Sequence, residues 1–280
     1  MLSYRHGFHA GNHADVLKHA VLTAIIEYLQ RKPAPVYLID THAGAAQHRL
    51  DSEQARKTGE AMRGIGRLWN ADSPPALLQR YLGVLHHFNP SGELQVYPGS
   101  SAIMQSLMRD VDRLRAFDLH PTEHQNLTTQ FRGQRAVRIE HGDGFKGLLG
   151  QVPPASRRGL VLMDPSYENK QDFSAVASSV EAAIRRFATG TYVVWYPRLA
   201  RQSADAMLRR LHRLAPDNWL QVELNVKRQP SDGFGMFGSG LYVINPPWTL
   251  PSQLADALPW LVKILGEDDH AGYHLDHKIQ

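Results

Sequence analysis

The chain has 280 residues, 42% of them hydrophobic and 21% charged, with a formal charge of +4 and no cysteine. This composition excludes a disordered chain and supplies enough apolar surface for one large domain, or one domain with an insertion. The missing cysteines exclude disulfides, thiolate metal sites and a cysteine nucleophile. A charge of +4 on this length is ordinary and favours a polyanionic partner only weakly; arginine pairs stand at 157–158, 185–186 and 209–210.

The opening segment, MLSYRHGFHAGNHADVLKH, carries too many polar and ring side chains for a secretory leader. No run approaches the roughly 18 apolar residues of a membrane helix, so a cytoplasmic protein is expected. After Asn12, Leu17, Ala20, Val21, Ala24, Ile25, Tyr28 and Leu29 recur at helical spacing until Pro33 and Pro35 end the pattern. VYLID (36–40) then reads as a strand running into the small-residue turn THAGAA.

The second strand candidate, RLRAFD (113–118), comes far later than the about 30 residues of a single crossover unit allow. Between them lie TGEAMRGIGRLW and PALLQRYLGVLHHF, two helical patterns joined through NADSPP and closed by NPSG. An inserted helical subdomain is expected at 50–94, inside a Rossmann-like domain made of 1–49 and 95–280. Further strands are AVRIE (136–140), GLVLMD (159–164), TYVVWY (191–196), LQVELNVK (220–227) and GLYVIN (240–245). Helical stretches separate the five from RLRAFD to LQVELNVK, the signature of a mostly parallel sheet covered on both faces. The last two lack a helix between them and read as an antiparallel pair. The expected fold is therefore α/β with seven strands.

Three motifs mislead. Gly233, Gly235 and Gly238 match a dinucleotide fingerprint in spacing, but a strand follows where that motif needs a helix N-terminus; a flexible loop is expected. His6, His9, His13 and His19 cluster without an HExxH pair, and no metal is expected. Asn245-Pro246-Pro247-Trp248 resembles the tetrapeptide of amino-methyltransferases in its letters. Ligands of an open parallel sheet gather beyond the carboxyl ends of its central strands, whereas this motif ends a last antiparallel strand expected toward the side. NPPW is expected to bury Trp248 and anchor the C-terminal segment.

Asp40, Asp118, Asp143 and Asp164 end, or closely follow, four successive strands. One such acid is usually a turn former; four on one rim fit an adenosine cofactor, with one acid for ribose hydroxyls and one for the adenine amino group. Ala43, Gly44 and Ala45 let backbone approach the ligand. Thr41 and His42 replace a glycine-rich pyrophosphate turn, which suits a cofactor without phosphates, S-adenosylmethionine.

The segments YRHGFHAGNHADVLKH (4–19), LIDTHAGA (38–45), YPGSS (97–101), DLHP (118–121), HGDGF (141–145), SRRGLVLMDPSYE (156–168), RFATGTYVVWYP (186–197) and INPPW (244–248) carry a resemblance over nearly the whole chain. It is to the bacterial 23S ribosomal RNA adenine-N6 methyltransferases of the RlmJ family. The resemblance implies a monomeric Rossmann-like enzyme that uses S-adenosylmethionine and methylates adenine 2030 of 23S ribosomal RNA, either protein-free or in an early assembly intermediate. It assigns Lys18, His19, His42, Ser100, Asp118, Asp143, Gly144 and Asp164 to the cofactor pocket, Tyr4 and His6 to the substrate side, and Asp164 to catalysis.

Two positions depart from the family pattern. Asp118 stands where glutamate is favoured and is one methylene shorter. Ser166 replaces a second proline, which frees its φ and adds an N–H. Methylation of an exocyclic amine needs two acceptors aimed at its hydrogens, the Asp164 carboxylate and the Pro165 carbonyl, and neither belongs to Ser166. The adenine must leave its helix and lie on an aromatic face, with Tyr167 the first candidate and Tyr4 the second. Rim arginines and lysines would hold phosphates. Two rivals stay open: a DNA adenine-N6 methyltransferase, and a noncatalytic RNA-binding protein with a vestigial cofactor pocket.

Overall fold

The structure is a computed structural model and describes residues 5–200, 204–231 and 235–279. Asn12 opens the first long helix, α1 (His13–Gln30), by accepting the N–H groups of Ala14 and Asp15 on its side chain. β1 (Tyr37–Asp40) follows, then a short β2 (Gln47–Arg49). Four helices come next: α2 (Glu53–Thr58), α3 (Glu60–Arg63), α4 (Ile65–Trp69) and α5 (Ala76–Phe88). β3 (Val96–Pro98) returns antiparallel to β2. The alternating part of the chain holds α6 (Ser100–Leu107), β4 (Arg113–Asp118), α7 (Pro121–Gln130), β5 (Val137–His141), α8 (Gly144–Leu148), β6 (Gly159–Met163), α9 (Gln171–Arg186) and β7 (Thr191–Leu199). It closes with α10 (Asp205–Leu214), β8 (Trp219–Asn225), β9 (Met236–Ile244), α11 (Leu250–Leu265) and β10 (Gly272–Lys278).

The main sheet runs β10-β8-β9-β7-β6-β1-β4-β5. β1 lies parallel between β4 and β6, so the strand order reverses between β1 and β6 and leaves a crevice at their carboxyl ends. Side chains of β6 alternate: Leu160 and Leu162 join the core under α1 and α11, while Val161 and Met163 join the core under α9 and α10. The helices between β2 and β3 share the first core, where Leu68, Leu77, Tyr81 and Leu85 cluster with Leu17, Val21 and Ile25. Their first helical pattern is broken twice by glycine. Gly59 has φ +62°, and a Cβ on Gly64 would stand 2.1 Å from the Gly11 carbonyl.

The α/β class, the parallel centre and the antiparallel end are as expected, but the sheet has eight strands where seven were expected. The added strand, β10, pairs along all of β8 at the sheet edge. Its side chains are mostly exposed, so its sequence, GYHLDHK, carries no buried apolar alternation. β9 is also not lateral: it sits between β7 and β8, antiparallel to both. That direction carries Asn245 to Trp248 to the rim opposite the crevice. Trp248 is 69% exposed, which corrects the expected burial. The anchor is Asn245 instead, whose amide donates to the carbonyls of Ala188 and Gly190 at 2.8 and 2.7 Å. Gly238 belongs to β9, while Gly233 and Tyr4 lie outside the described residues. Among the described residues no helix is long and apolar enough to cross a membrane.

Candidate active site

A cavity of about 520 Å³ occupies the crevice. Its wall is built from α1, from the turns after β1, β4, β5 and β6, and from the end of β7. Of the residues singled out from the sequence, His6, Lys18, His19, His42, Ser100, Asp118, Asp143, Gly144, Asp164 and Pro165 all line it.

The floor depends on one glycine. A Cβ on Gly144 would meet the Thr41 carbonyl oxygen at 1.9 Å, so the turns after β1 and β5 touch only because residue 144 has no side chain. Asp143 caps α8, its Oδ1 accepting the Phe145 N–H at 2.9 Å. Asp118 accepts the N–H of Gly44 on Oδ2 at 2.8 Å and that of His120 on Oδ1 at 2.7 Å, which fixes its carboxylate at the mouth of the β4 turn. Burial still raises its pKa, despite those two bonds. His42 is bonded through Nδ1 to the Thr41 hydroxyl at 2.8 Å and meets the Phe145 ring edge-on. Burial lowers its pKa to about 4, so it is neutral at pH 7.

On the facing wall, α1 presents a charged pair. Lys18 Nζ is 2.6 Å from Asp164 Oδ2 and 2.8 Å from Asp15 Oδ1, all nearly enclosed. Burial opposes the ammonium charge, but Asp15 and Asp164 outweigh it and raise the pKa beyond the ordinary lysine range. Burial likewise opposes the Asp15 carboxylate, and His6, Lys18 and His19 together hold its pKa well below the usual value. His6 Nε2 lies 2.9 Å from Asp15 Oδ2. His19 turns Nδ1 to the Tyr97 hydroxyl at 2.8 Å.

The fourth strand-end acid behaves differently. Asp40 is fully buried and does not line the cavity. Its Oδ2 accepts the hydroxyls of Ser100 and Ser101 at 2.5 and 2.8 Å. Tyr167 is not on the wall either: it is 2% exposed, adopts φ +53°, and donates its hydroxyl to the Trp195 carbonyl at 2.6 Å. The aromatic rings that do line the cavity include Phe145 and Trp195, the latter beneath the Lys18 ammonium. Asp15, His48 and Trp195 were missed in the sequence. Asp15 had a signal, its i,i+3 spacing from Lys18 on one helix face; Trp195 reads only as a strand residue.

The sheet order, the crevice beside β1 and the acids on its rim define a Rossmann-like methyltransferase. Residues 33–278 match the family model described as "Ribosomal RNA large subunit methyltransferase D, RlmJ". The chain is 49% identical over 261 residues to "Ribosomal RNA large subunit methyltransferase J" of Escherichia coli (strain K12), covering 93% of each protein. It is 44% identical over 266 residues to the protein of the same name from Haemophilus influenzae, covering 95% of this chain and 94% of that one. A crystal structure of a protein from Legionella pneumophila superposes with a TM-score of 0.89 at 32% identity, over 96% of this chain and 98% of the other. The chain belongs to the RlmJ family of ribosomal RNA large subunit methyltransferases.

Proposed function

We propose that the protein transfers a methyl group from S-adenosylmethionine to N6 of one unstacked adenine in 23S ribosomal RNA, adenine 2030 by resemblance. The observation that carries this reading is Asp164, which follows β6 at the switch point, lines the cavity with Pro165, and is held on one oxygen by the buried Lys18 ammonium. The other carboxylate oxygen and the Pro165 carbonyl are the two acceptors that an exocyclic amine requires.

The wall residues fit S-adenosylmethionine chemically. Asp118 and Asp143 are acceptors suited to the ribose hydroxyls and the adenine amino group, and His42 and Phe145 supply flat flanking surface. His19 Nε2 is buried without a protein partner, as expected of a group kept for a ligand. When bound, the cofactor supplies an electrophilic methyl on a sulfonium. The chain's own task is to orient the amine, exclude water and take up, on the Asp164 oxygen that Lys18 leaves free, the proton the amine loses on methylation. His6 stands on the substrate side of the cavity. Tyr4 is assigned there by resemblance, and Trp195, half-buried on the cavity wall, offers an aromatic surface against which a base can lie.

The test is to incubate purified protein, radiolabelled cofactor and unmodified 23S RNA, and to map the product by digestion and mass spectrometry. Asp164→Ala is expected to abolish transfer while RNA affinity stays nearly intact. Appreciable residual transfer by that variant overturns the catalytic assignment, and preferential methylation of duplex DNA overturns the substrate assignment. Cofactor binding without any transfer by the wild type would favour a vestigial pocket.

A further inference from the structure

His19, one of the histidines on the cavity wall, is the end of a buried chain of hydroxyls that begins on α5. Tyr81 on α5 places its hydroxyl 2.8 Å from that of Tyr97, in the middle of β3, and the Tyr97 hydroxyl is 2.8 Å from His19 Nδ1. Both tyrosines are completely buried, neither lines the cavity, and His19 is 1% exposed. The Tyr97 ring is seated under Gly11, where φ is +78° and a Cβ would come within 3.2 Å of it. His19 Nε2 has no protein partner.

Three donor patterns satisfy both contacts; one, in which Tyr97 accepts from both neighbours, leaves the Tyr97 proton sealed in the core with no acceptor, and the other two run in opposite directions. In one, Tyr81 donates to Tyr97, Tyr97 donates to Nδ1, and the imidazole proton sits on Nε2. In the other, Nδ1–H donates to Tyr97, Tyr97 donates to Tyr81, and the Tyr81 proton is buried with no acceptor. Each of these two leaves one buried donor without a protein acceptor, but Tyr81 is sealed in the core, whereas His19 lines the cavity, where a ligand can accept from Nε2–H. The first pattern therefore prevails. It leaves Nε2–H as the one unspent donor, and with Nδ1 turned away to Tyr97, Nε2 is the nitrogen left for a ligand. Burial and the Lys18 charge both lower the His19 pKa, so the ring stays neutral and the choice of tautomer is real.

We infer that Tyr97, braced by Tyr81, is a positioning residue that fixes His19 as its Nε2–H tautomer, so that His19 donates to the carboxylate of bound S-adenosylmethionine. This rests on the cofactor reading above. Asp118 and Asp143 belong to the turns after β4 and β5, where adenosine is assigned, and the α1 wall bearing Lys18 and His19 is left for the amino-acid end. The inserted helices thus contribute to the cofactor site without touching it.

The test uses the full-length protein with ¹⁵N-labelled histidine. Long-range proton–nitrogen spectra are expected to show His19 protonated on Nε2 in the wild type and a mixture of tautomers in Tyr97→Phe. Calorimetry is then run with S-adenosylmethionine and with its decarboxylated analogue, which differ only in the carboxylate. Tyr97→Phe is expected to weaken S-adenosylmethionine by about tenfold and the analogue by less than about twofold; Tyr81→Phe is expected to move both in the same sense by about a third as much. Thermal melts check folding. If Tyr97→Phe does not fold, Tyr81→Phe carries the test, because its ring still fills the core. A wild-type His19 protonated on Nδ1, or equal weakening of the two ligands, overturns the inference. A wild type that binds neither ligand but carries the Nε2 proton overturns the cofactor reading and leaves the tyrosine chain standing.

Discussion

Asp40 offers a quantitative test of how the carboxyl rim is built. Burial raises its pKa from 3.8 to about 6, against the opposing hydrogen bonds from Ser100 and Ser101. The folded state therefore binds a proton more readily than the unfolded one. On this group's account stability is greatest below pH 3.8 and is lost as the pH rises through about 6. Linkage puts the loss at about 3 kcal/mol at pH 8 and about 1.5 kcal/mol at pH 5. Asp40→Asn keeps an oxygen for the two serines and puts an amide where Oδ1 has no partner. That orphaned amide imposes a penalty independent of pH, so the informative quantity is the change in the difference from wild type. Urea denaturation at the two pH values is expected to show the variant gaining about 1.5 kcal/mol on the wild type between pH 5 and pH 8. Groups that do not touch Asp40 cancel in this comparison, and only Asp164 and Lys18 couple to it. A difference that stays flat with pH would refute the buried, proton-binding description of Asp40.

Gly144→Ala forces a Cβ against the backbone of Thr41, which has no flexible end to yield. It is expected to cost about 1–3 kcal/mol in stability and to remove detectable cofactor binding by calorimetry. Gly150→Ala, whose Cβ would make an ordinary 3.5 Å contact, is the control and should change neither. Lys18→Met leaves Asp15 and Asp164 buried without their ammonium and is expected to lower unfolding free energy by about 3–5 kcal/mol. Adding Asp15→Asn should restore part of that loss in denaturant melts, and a purely additive double variant would deny the coupling.

Much of the frame was legible because local chemistry and tertiary environment agree there. The Asn12 cap, the strand–helix alternation and the apolar runs at β1, β4 and β6 state their burial in the residues themselves. β10 was illegible because an edge strand made mainly by backbone pairing has no apolar alternation to display. Trp248 misled because a tryptophan beside prolines reads as an anchor, while burial depends on which rim the strand leaves from. Tyr167, expected on the substrate side, misled for a similar reason. The left-handed turn at Tyr167 sends its ring into the core under β7, and Trp195, hidden within an apolar run, is what faces the cavity.

The four strand-end acids show where a spacing argument must stop. Identical side chains at equivalent ends of β1, β4, β5 and β6 become a buried proton-binding carboxyl, a carboxylate held by two backbone N–H groups, a helix cap, and half of an ion pair. Their partners arrive from elsewhere in the chain: Ser100 from α6, Gly44 from the first turn, Lys18 from α1. The rim's carboxylates can be counted in sequence, but their division of labour is fixed by what packs against each. Asp164 is the only one of the four joined to a buried ammonium, because Lys18 of α1 reaches its Oδ2 at 2.6 Å. That ion pair ties the N-terminal segment, which shares Asp15 through His6, to the end of the cavity where Asp164 stands.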